Sequence, residues 1–369
     1  MIEQLYISKS FCCLGKNTPT CYGCSYCRLA SNDLEFEYSV LPTDINKELD
    51  KVPVAVNLFY GDPLLHHQVD KTIAHLEKLA EAKHKGPVLI ITKGDLMTFD
   101  MPADLDLDLH FAFSTFGIYH NYDKISHDRM IRNLRTFHDK GFDNRYRFSI
   151  EFRPVCYGIN DSRDIIEGVF KIADKYGAPI GYSGLQGTPE TVEYWNTYGI
   201  NLIPYPGYKF GHKKSISEKV QSIFSEMSDK YNVPIFKKTS CLISHVHNLD
   251  RDYNAHYYRP TEMGCKSCTM HDKCMKFKSE LSLDKEKIKH LVPFDFEIIY
   301  KKNHVCILKQ KNICEFPTAD CSNIEGNIIK IDEKITTADV RVIKWLTGYT
   351  VDADFYESSL LSNCWKDGK

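Results

Sequence analysis

The sequence predicts an α/β fold: a partial (β/α)6-type, TIM-like barrel, then a cysteine-rich extension and a small C-terminal α+β domain. Three features along the chain predict it. Short apolar runs alternate with polar, helix-periodic stretches from residue 1 to about residue 240. A stretch rich in cysteine and histidine follows, and a β-rich tail ends the chain. We therefore expect a barrel over residues 1–240, an extension over 241–280 and a C-terminal domain over 281–369.

The alternation in the first part indicates repeated βαβ units and a parallel sheet. Helix-periodic stretches cover 66–82, 128–140, 162–176 and 215–231. Six or seven strands of this kind favour a partial or complete barrel, with catalytic groups at the carboxyl ends of the strands. The predicted strands are Leu5–Ser8, Val54–Phe59, Val88–Thr92, Leu109–Ser114, Tyr146–Val155, Pro179–Leu185 and Ile235–Lys238.

The C-terminal tail has its own pattern. Two apolar segments, Phe294–Tyr300 and Val305–Leu308, are separated by Lys-Lys-Asn-His, which predicts a β-hairpin. A helix over Thr336–Trp345 is expected to close this module, and a charged, helix-like stretch at Leu281–His290 connects it to the rest.

Composition places the chain among ordinary globular proteins. The 369 residues are 43% hydrophobic and 26% charged, and the formal net charge is −2. This charge gives no broad electrostatic case for a nucleic acid partner, although a local basic groove is compatible with it. We find no signal peptide and no run of about 18 apolar residues that would span a bilayer. The expected location is cytoplasmic, with no membrane partner, and there 14 cysteines favour metal binding over disulfides.

The strongest chemical signal is a cysteine loop behind the first predicted strand. Cys21, Cys24 and Cys27 are spaced so that three thiolates can enter one pocket and hold three irons of a cubic iron–sulfur cluster. No further cysteine follows until Cys156. One iron would then keep an open coordination position, which separates a chemical site from a structural one. The alternative is a zinc knuckle completed by an earlier cysteine, Cys12 or Cys13.

This loop resembles the cluster loop of the radical S-adenosylmethionine superfamily, whose usual signature is C-x3-C-x-aromatic-C after the first barrel strand. The Cys24-Ser-Tyr26-Cys27 half matches that signature, while the first spacing is one residue short. Thr20 occupies the place where the usual spacing puts a cysteine. Cys21 is the expected first ligand, with Cys13 as the alternative through a longer insertion.

Later segments extend the resemblance over residues 1–240. Tyr60-Gly61-Asp62-Pro63 follows the second barrel strand and is similar to the family's Gly-Gly-Glu-Pro motif, whose backbone groups reach the methionine amino group. Ser114, at the end of a strand, matches the place where family members offer a hydroxyl to the cofactor carboxylate. The stretch from Arg153 to Asp161 is similar to one found near the cofactor ribose and adenine. The resemblance therefore implies that Tyr26, Tyr60, Gly61, Asp62, Pro63, Ser114, Arg153 and Asn160 bind the cofactor.

A second cysteine group lies beyond the expected last barrel strand. Cys265, Cys268 and Cys274 have the spacing C-x2-C-x5-C, and Cys241 lies upstream. Four thiolates could hold an auxiliary 4Fe–4S cluster or a zinc ion. The spacing resembles part of the extension of peptide-modifying radical enzymes. The alternatives are a structural zinc site that uses a histidine, His256 or His271, and a set of unrelated cysteines.

The resemblance implies reductive cleavage of S-adenosylmethionine at a 4Fe–4S cluster, giving a 5′-deoxyadenosyl radical that abstracts a hydrogen atom from substrate. A flavodoxin- or ferredoxin-type reductant is implied as a partner. The extension favours a peptide or protein substrate. Two alternatives stay open: a nucleic acid base enzyme resembling spore photoproduct lyase, from the stretches at 158–161 and 239–241, and a non-enzymatic iron–sulfur or zinc module.

Overall fold

The computed structural model describes 15 segments, which are residues 5–11, 35–40, 53–56, 62–65, 68–81, 83–99, 105–140, 146–187, 189–197, 199–210, 215–249, 268–274, 295–304, 324–336 and 350–356.

A six-stranded sheet forms the centre of the molecule, and every neighbouring pair of its strands is parallel. The strands follow chain order across the sheet, so the predicted α/β class with a parallel sheet is confirmed. The strands are β3 (Val54–Val56), β4 (Val88–Thr92), β5 (Leu109–Thr115), β6 (Tyr146–Val155), β7 (Ile180–Gly184) and β8 (Ile235–Phe236).

Helices connect these strands and bury one face of the sheet. In the main core, Phe111 and Phe113 of β5 pack with Phe137, and Tyr182 of β7 stacks on Phe224 at 4.0 Å between ring centroids. Strand residues of opposite parity point to the other face. The connecting helices are α1 (Val69–Glu81), α2 (Ser126–Lys140), α3 (Arg163–Tyr176), α4 (Pro189–Thr197) and α5 (Glu218–Tyr231), and a short 3₁₀ helix covers Leu96–Thr98.

Sequential strand order with α1, α2, α3 and α5 contributing to one core is compatible with a partial barrel, since right-handed crossovers then all fall on one side. The helix ends follow local sequence signals. Ser162 caps α3 by accepting a hydrogen bond from the Ile165 amide, and Gly177 ends that helix with φ at 65°.

The opposite face of the sheet is covered by α6 (Thr239–Val246). Ile243 of this helix packs against Leu89 of β4 and Ala112 of β5. We refer to this side as the α6 face. The domain boundary predicted after residue 240 falls inside α6, so this helix belongs to the α/β unit; the rest of the domain division stays a prediction.

The first strand pairs differently from the expectation. Strand β1 (Leu5–Phe11) pairs antiparallel with β2 (Glu35–Val40) in a separate two-stranded sheet, so the prediction that it opens the parallel barrel sheet is wrong. The side chains of a segment favour the strand conformation, but the strand with which it pairs depends on tertiary packing.

The C-terminal part forms a three-stranded sheet in the order β11 (Thr350–Tyr356), β10 (Ile324–Thr336), β9 (Phe296–His304). The predicted hairpin turn at 301–304 is wrong, because these residues continue β9 and pair with the start of β10. Thr336, the predicted start of a helix, is the last residue of β10; residues 337–345 lie outside the described segments. None of the described helices is long and apolar enough to cross a membrane.

Candidate active site at the carboxyl edge of the sheet

Strands β4 to β7 all end at one edge of the parallel sheet, which we call the carboxyl edge. Near this edge the α6 face is polar. Ser114 of β5 is in register with Glu151 of β6, and Glu151 is in register with Gly181 of β7. Arg153 and Ser183 come two residues after Glu151 and Gly181 along β6 and β7, on the same face of the sheet and nearer the carboxyl edge. Polar groups at the carboxyl ends of parallel strands are where α/β barrels place their chemistry.

Glu151 is the most deeply buried charged residue of this group, with 1% of its side chain exposed. One carboxylate oxygen, Oε2, accepts from the Arg153 guanidinium, which also donates to the Thr239 hydroxyl at the start of α6. The other oxygen, Oε1, is buried and has no hydrogen-bond partner among the described residues. A buried acceptor left in this state costs about 1–3 kcal/mol, so a donor from water or from a ligand at Oε1 would stabilise the site.

Gly181 and Ser183 of β7 belong to the same group of residues as Glu151 and Arg153, and we call this group the recess. A Cβ at Gly181 would lie 2.6 Å from Glu151 Oε2 and 2.9 Å from Leu242 Cδ2, so only glycine leaves room for the carboxylate. The Ser183 hydroxyl is buried and has no partner within the part of the chain that the structure describes. The recess therefore offers a carboxylate oxygen, a hydroxyl and a guanidinium from adjacent strands.

Asp62 connects the segment after β3 to the carboxyl edge. Its carboxylate accepts from the Thr92 hydroxyl at 2.5 Å and from the Leu64 amide at 2.9 Å, and it also accepts from the Lys93 amide. Burial raises the pKa of this carboxyl, and the three hydrogen bonds act in the opposite direction. The Asp62 side chain thus fixes its loop beside β4.

Lys93 fixes a second loop at the same edge. Its Nζ donates to Asp123 Oδ2 at 2.9 Å, and Asp123 is fully buried. Asp123 also accepts from the Ser126 amide at 3.0 Å, at the start of α2. The loops after β3, β4 and β5 are therefore tied together around Lys93.

The Asn160 side chain connects two loops at the carboxyl edge. Its Oδ1 accepts from the Cys156 amide at 2.6 Å, and its Nδ2 donates to the carbonyls of Phe116 and Pro154, each at 2.9 Å. The side chain is wholly buried and joins the loops after β5 and β6. Its contact with a cofactor stays a prediction.

A second polar network lies deeper, towards the amino ends of the strands. Ser149 Oγ is 2.8 Å from His110 Nε2, His110 Nδ1 is 3.0 Å from His247 Nε2, and His247 Nδ1 is 2.8 Å from Asp108 Oδ2. Arg147 donates to the other Asp108 oxygen at 3.2 Å. Burial holds the pKa of His110 well below its usual value. Because a carboxylate only accepts, neutral imidazoles would align every donor in this chain towards Asp108.

The second predicted cysteine group is partly brought together. Cys241, Cys268 and Cys274 all pack against one apolar cluster formed by Phe236, Leu242 and Met270. Cys265, the fourth predicted ligand, lies outside the described residues. Within the described segments no group of three or more metal-binding side chains is close enough to hold an ion. Metal binding by this group stays a prediction.

Most of the cluster loop and its neighbours fall outside the described residues: Cys21, Cys24, Tyr26, Cys27, Tyr60 and Gly61. Of the other predicted cofactor residues, Asp62, Pro63, Ser114 and Arg153 all lie at the carboxyl edge. Sequence reasoning missed Glu151. The signal was present in β6, where Arg147, Ser149, Glu151 and Arg153 place a polar residue at every second position of a strand.

Comparison with known proteins found no matching family model, no matching curated protein and no matching solved structure. The function must therefore be argued from the chemistry of the site. Around the recess at the carboxyl edge lie the Arg153 guanidinium, the buried Glu151 carboxylate and the hydroxyls of Ser114 and Ser183. Such a set recognises a polar ligand that carries both charges and several donors.

Proposed function

We propose that this chain is a radical S-adenosylmethionine enzyme, a partial barrel that binds a 4Fe–4S cluster and S-adenosylmethionine and removes a hydrogen atom from a substrate. The observation that carries the proposal is a convergence. Segments chosen for their resemblance to cofactor-binding motifs, at Asp62, Ser114 and Arg153, meet at one edge of the sheet. The cysteine loop precedes them in the sequence, as it does in that superfamily.

The residues at the edge fit S-adenosylmethionine, which carries a carboxylate, an ammonium group and ribose hydroxyls. Arg153 would bind the carboxylate, and the Ser114 hydroxyl would donate to it. Glu151 Oε1 and Ser183 Oγ lack partners among the described residues and would accept from ligand donors. The cluster on Cys21, Cys24 and Cys27, when bound, supplies the electron for reductive cleavage, received from a flavodoxin- or ferredoxin-type reductant.

The residues of the chain would position the cofactor and protect it from water. The Arg153 side chain is 21% exposed, whereas the side chain of its partner Glu151 is almost fully buried, so the pair joins a partly exposed residue to a buried carboxylate. Helix α6 closes the deeper part of this face through Ile243, Leu89 and Ala112. The reaction would thereby be confined to the carboxyl edge, because α6 excludes water from the side of the sheet nearer the amino ends of the strands.

The second cysteine group is proposed to hold an auxiliary 4Fe–4S cluster or a zinc ion. Its three described members pack against one apolar cluster that includes Leu242 of α6. Thr239 of the same helix accepts a hydrogen bond from Arg153. An ion there would stiffen α6 and support the recess from the side.

Binding of S-adenosylmethionine to the anaerobically reconstituted protein tests the proposal. Arg153→Ala should weaken binding by at least about tenfold, since a charge-assisted pair is lost. Arg163→Ala is the control, because Arg163 pairs with Glu226 on an exposed helix surface. If Arg153→Ala and Arg163→Ala bind S-adenosylmethionine with equal affinity, the recess does not bind the cofactor.

A further inference from the structure

Three hydrogen bonds in series connect Asp108 to Ser149 between α6 and the sheet. They join Asp108 to His247 at 2.8 Å, His247 to His110 at 3.0 Å, and His110 to Ser149 at 2.8 Å. Each facing pair of atoms shares one hydrogen, because two hydrogens would repel each other and none would leave two lone pairs in contact. Since a neutral imidazole has one donor and one acceptor nitrogen, the direction of one bond fixes the direction of the next.

With both imidazoles neutral, every donor in the series faces Asp108. The carboxylate can only accept, so His247 donates from Nδ1 to Asp108, and its Nε2 accepts from His110 Nδ1. His110 Nε2 then carries no hydrogen and accepts from the Ser149 hydroxyl. Ser149 is therefore a donor to His110 in this state, and its lone pairs are left for other partners.

One additional proton on His247 reverses two of the three bonds. A cationic His247 donates from both nitrogens, to Asp108 and to His110 Nδ1. His110 stays neutral with its hydrogen on Nε2, and this nitrogen donates to Ser149 Oγ. Ser149 is then an acceptor from His110, and its own hydrogen is released for another partner.

The surroundings favour His247 over His110 as the place of this proton. His247 bonds directly to Asp108, whose side chain is 32% exposed, so the carboxylate end of the series reaches solvent. His110 is wholly buried, and burial together with the nearby His247 and Arg147 holds its pKa well below the usual value. Proton uptake thus belongs at the end of the series nearest solvent.

Arg147 of β6 keeps this arrangement in place in both states. It donates to Asp108 Oδ1 at 3.2 Å and to the Val246 carbonyl at the end of α6 at 3.3 Å. Asp108 therefore accepts from His247 with one oxygen and from Arg147 with the other. Further charged or titratable groups of the described residues, on or beside α6 and the face that it covers, include Glu151, Arg153, His245 and Lys273.

Ser149 is the end of the series nearest the recess. It is wholly buried and comes two residues before Glu151, on the same face of β6. Buried acceptors of the sheet and of α6 that have no partner among the described residues include Glu151 Oε1 and Ser244 Oγ. A hydrogen released by Ser149 therefore enters a layer where acceptors lack donors, which it can reach directly or through water.

We propose that this series is a proton-operated switch, in which His247 takes up one proton beside Asp108 and neutral His110 passes the reversal on to the Ser149 hydroxyl. The layer beneath the recess then offers a lone pair when the series is neutral and a hydrogen when His247 is charged. The switch goes beyond the proposed function and does not depend on it, since it needs neither cluster nor cofactor. It lets the pH at the amino ends of the strands set the hydrogen-bonding character of the face that carries Glu151.

NMR of the imidazole nitrogens in the full chain, labelled with 15N at histidine, tests the switch between about pH 8 and about pH 5.5. Such spectra show which ring nitrogen carries a hydrogen. At the upper pH His110 should carry its hydrogen on Nδ1. As His247 becomes cationic, the hydrogen of His110 should move to Nε2 while His110 stays neutral. His138, an exposed histidine of α2, is the internal reference and should gain its proton without this exchange.

Asp108→Asn removes the charge that favours the proton on His247 and keeps the shape of the side chain. The exchange at His110 should then require a pH lower by at least about one unit, because a neighbouring opposite charge has an effect of about 1–3 pH units. Asp229→Asn, which neutralises an exposed carboxylate on α5, is the matched control and should leave the exchange unchanged.

Three outcomes in the unmodified protein would overturn the inference: a cationic His110, a His110 hydrogen that stays on Nδ1 after His247 is charged, or no proton uptake at His247 down to about pH 5.5. An Asp108→Asn titration identical to that of the unmodified protein would also overturn it. Because the first three outcomes need no substitution, a variant that folds poorly does not remove the test. None of these readouts involves S-adenosylmethionine, so the switch and the proposed function can fail separately.

Discussion

His110 Nδ1 lies 3.0 Å from His247 Nε2, and this contact joins β5 to the end of α6. It completes a hydrogen-bonded chain from the buried Ser149 hydroxyl to the half-exposed Asp108 carboxylate. The contact fixes the end of α6 over the lower part of the sheet, while Thr239 at the start of the same helix accepts from Arg153 near the carboxyl edge. The polar residues of the α6 face therefore divide into a layer around His110 and a layer around Glu151, and the second is the one proposed to bind the cofactor.

The His110 contact makes stability depend on pH. Burial lowers the pKa of His110, so the unfolded chain binds a proton at this histidine more readily than the folded chain does. Stability should fall as the pH drops below about 6.5, with a contribution of up to about 1.4 kcal/mol per pH unit from this group. His247, Arg147 and Asp108 belong to the same network, and their hydrogen bonds to one another hold the pKa of the Asp108 carboxyl below its usual value.

Urea unfolding of His110→Gln between pH 7.5 and 5.5 measures this contribution. The variant should be about 2–3 kcal/mol less stable at neutral pH, since it leaves buried groups without partners, and its stability should depend less on pH. His138→Gln, an exposed histidine of α2, is the control. A His110→Gln slope identical to that of the unmodified protein would show that this histidine is not the titrating group.

Gly181→Ala tests the room made for Glu151. The new methyl group would lie 2.6 Å from Glu151 Oε2 and 2.9 Å from Leu242 Cδ2, so strand, carboxylate or α6 must move. We expect a loss of about 1–3 kcal/mol in the free energy of unfolding and weaker S-adenosylmethionine binding. Gly168→Ala in α3 meets no atom within 4 Å and should leave stability equal or higher by up to about 1 kcal/mol. Equal stability of the two alanine variants would contradict the close approach.

Asn160→Ala tests the link between the loops after β5 and β6. The substitution removes hydrogen bonds to the Cys156 amide and to the carbonyls of Phe116 and Pro154, all of them buried. Thermal or urea unfolding should show a loss of about 2–3 kcal/mol. Asn196→Ala, at an exposed position of α4, should change stability by less than about 0.5 kcal/mol. A small effect of Asn160→Ala on stability, together with a large loss of cofactor affinity, would instead assign its side chain to binding.

Asp62→Ala tests whether the segment after β3 must be fixed to β4. The variant loses the bonds to the Thr92 hydroxyl and to the Leu64 and Lys93 amides. Stability should fall by about 1–3 kcal/mol, and S-adenosylmethionine affinity should fall by about tenfold in reconstituted protein, measured by calorimetry. Asp229→Ala on the exposed side of α5 is the control. An unchanged affinity in Asp62→Ala would show that this loop does not position the cofactor.

Local sequence signals predicted the parallel strands because each strand from β4 to β7 is a buried run between turns. The partner of a strand is a tertiary property, which is why β1 was assigned to the wrong sheet. Strand β2 carries a period-two pattern, with Phe36, Tyr38 and Val40 alternating with polar residues, that marks a strand with one polar face. The predicted hairpin failed since β9 pairs with a strand that begins at Ile324, beyond the reach of a local turn pattern.

The candidate site was predictable in part for the same reasons. The family resemblance indicated Ser114 and Arg153, and both lie at the carboxyl edge. The role of the Asn160 side chain was hidden, because a loop asparagine can serve a ligand or its own backbone with the same sequence. Glu151 was marked only by the period-two polar pattern of β6, and its close approach to Gly181 of β7 is a tertiary feature that the sequence does not show.

The most direct test of the account is the formation of 5′-deoxyadenosine from S-adenosylmethionine and dithionite after anaerobic iron–sulfur reconstitution. We expect cleavage by the unmodified protein, with about four irons for one cluster or about eight for two. Cys24→Ala and Cys27→Ala should abolish cleavage, whereas Cys364→Ala, outside both cysteine groups, should retain it. Undiminished 5′-deoxyadenosine formation by Cys24→Ala and Cys27→Ala, or none by the fully reconstituted unmodified protein, would contradict the radical S-adenosylmethionine assignment.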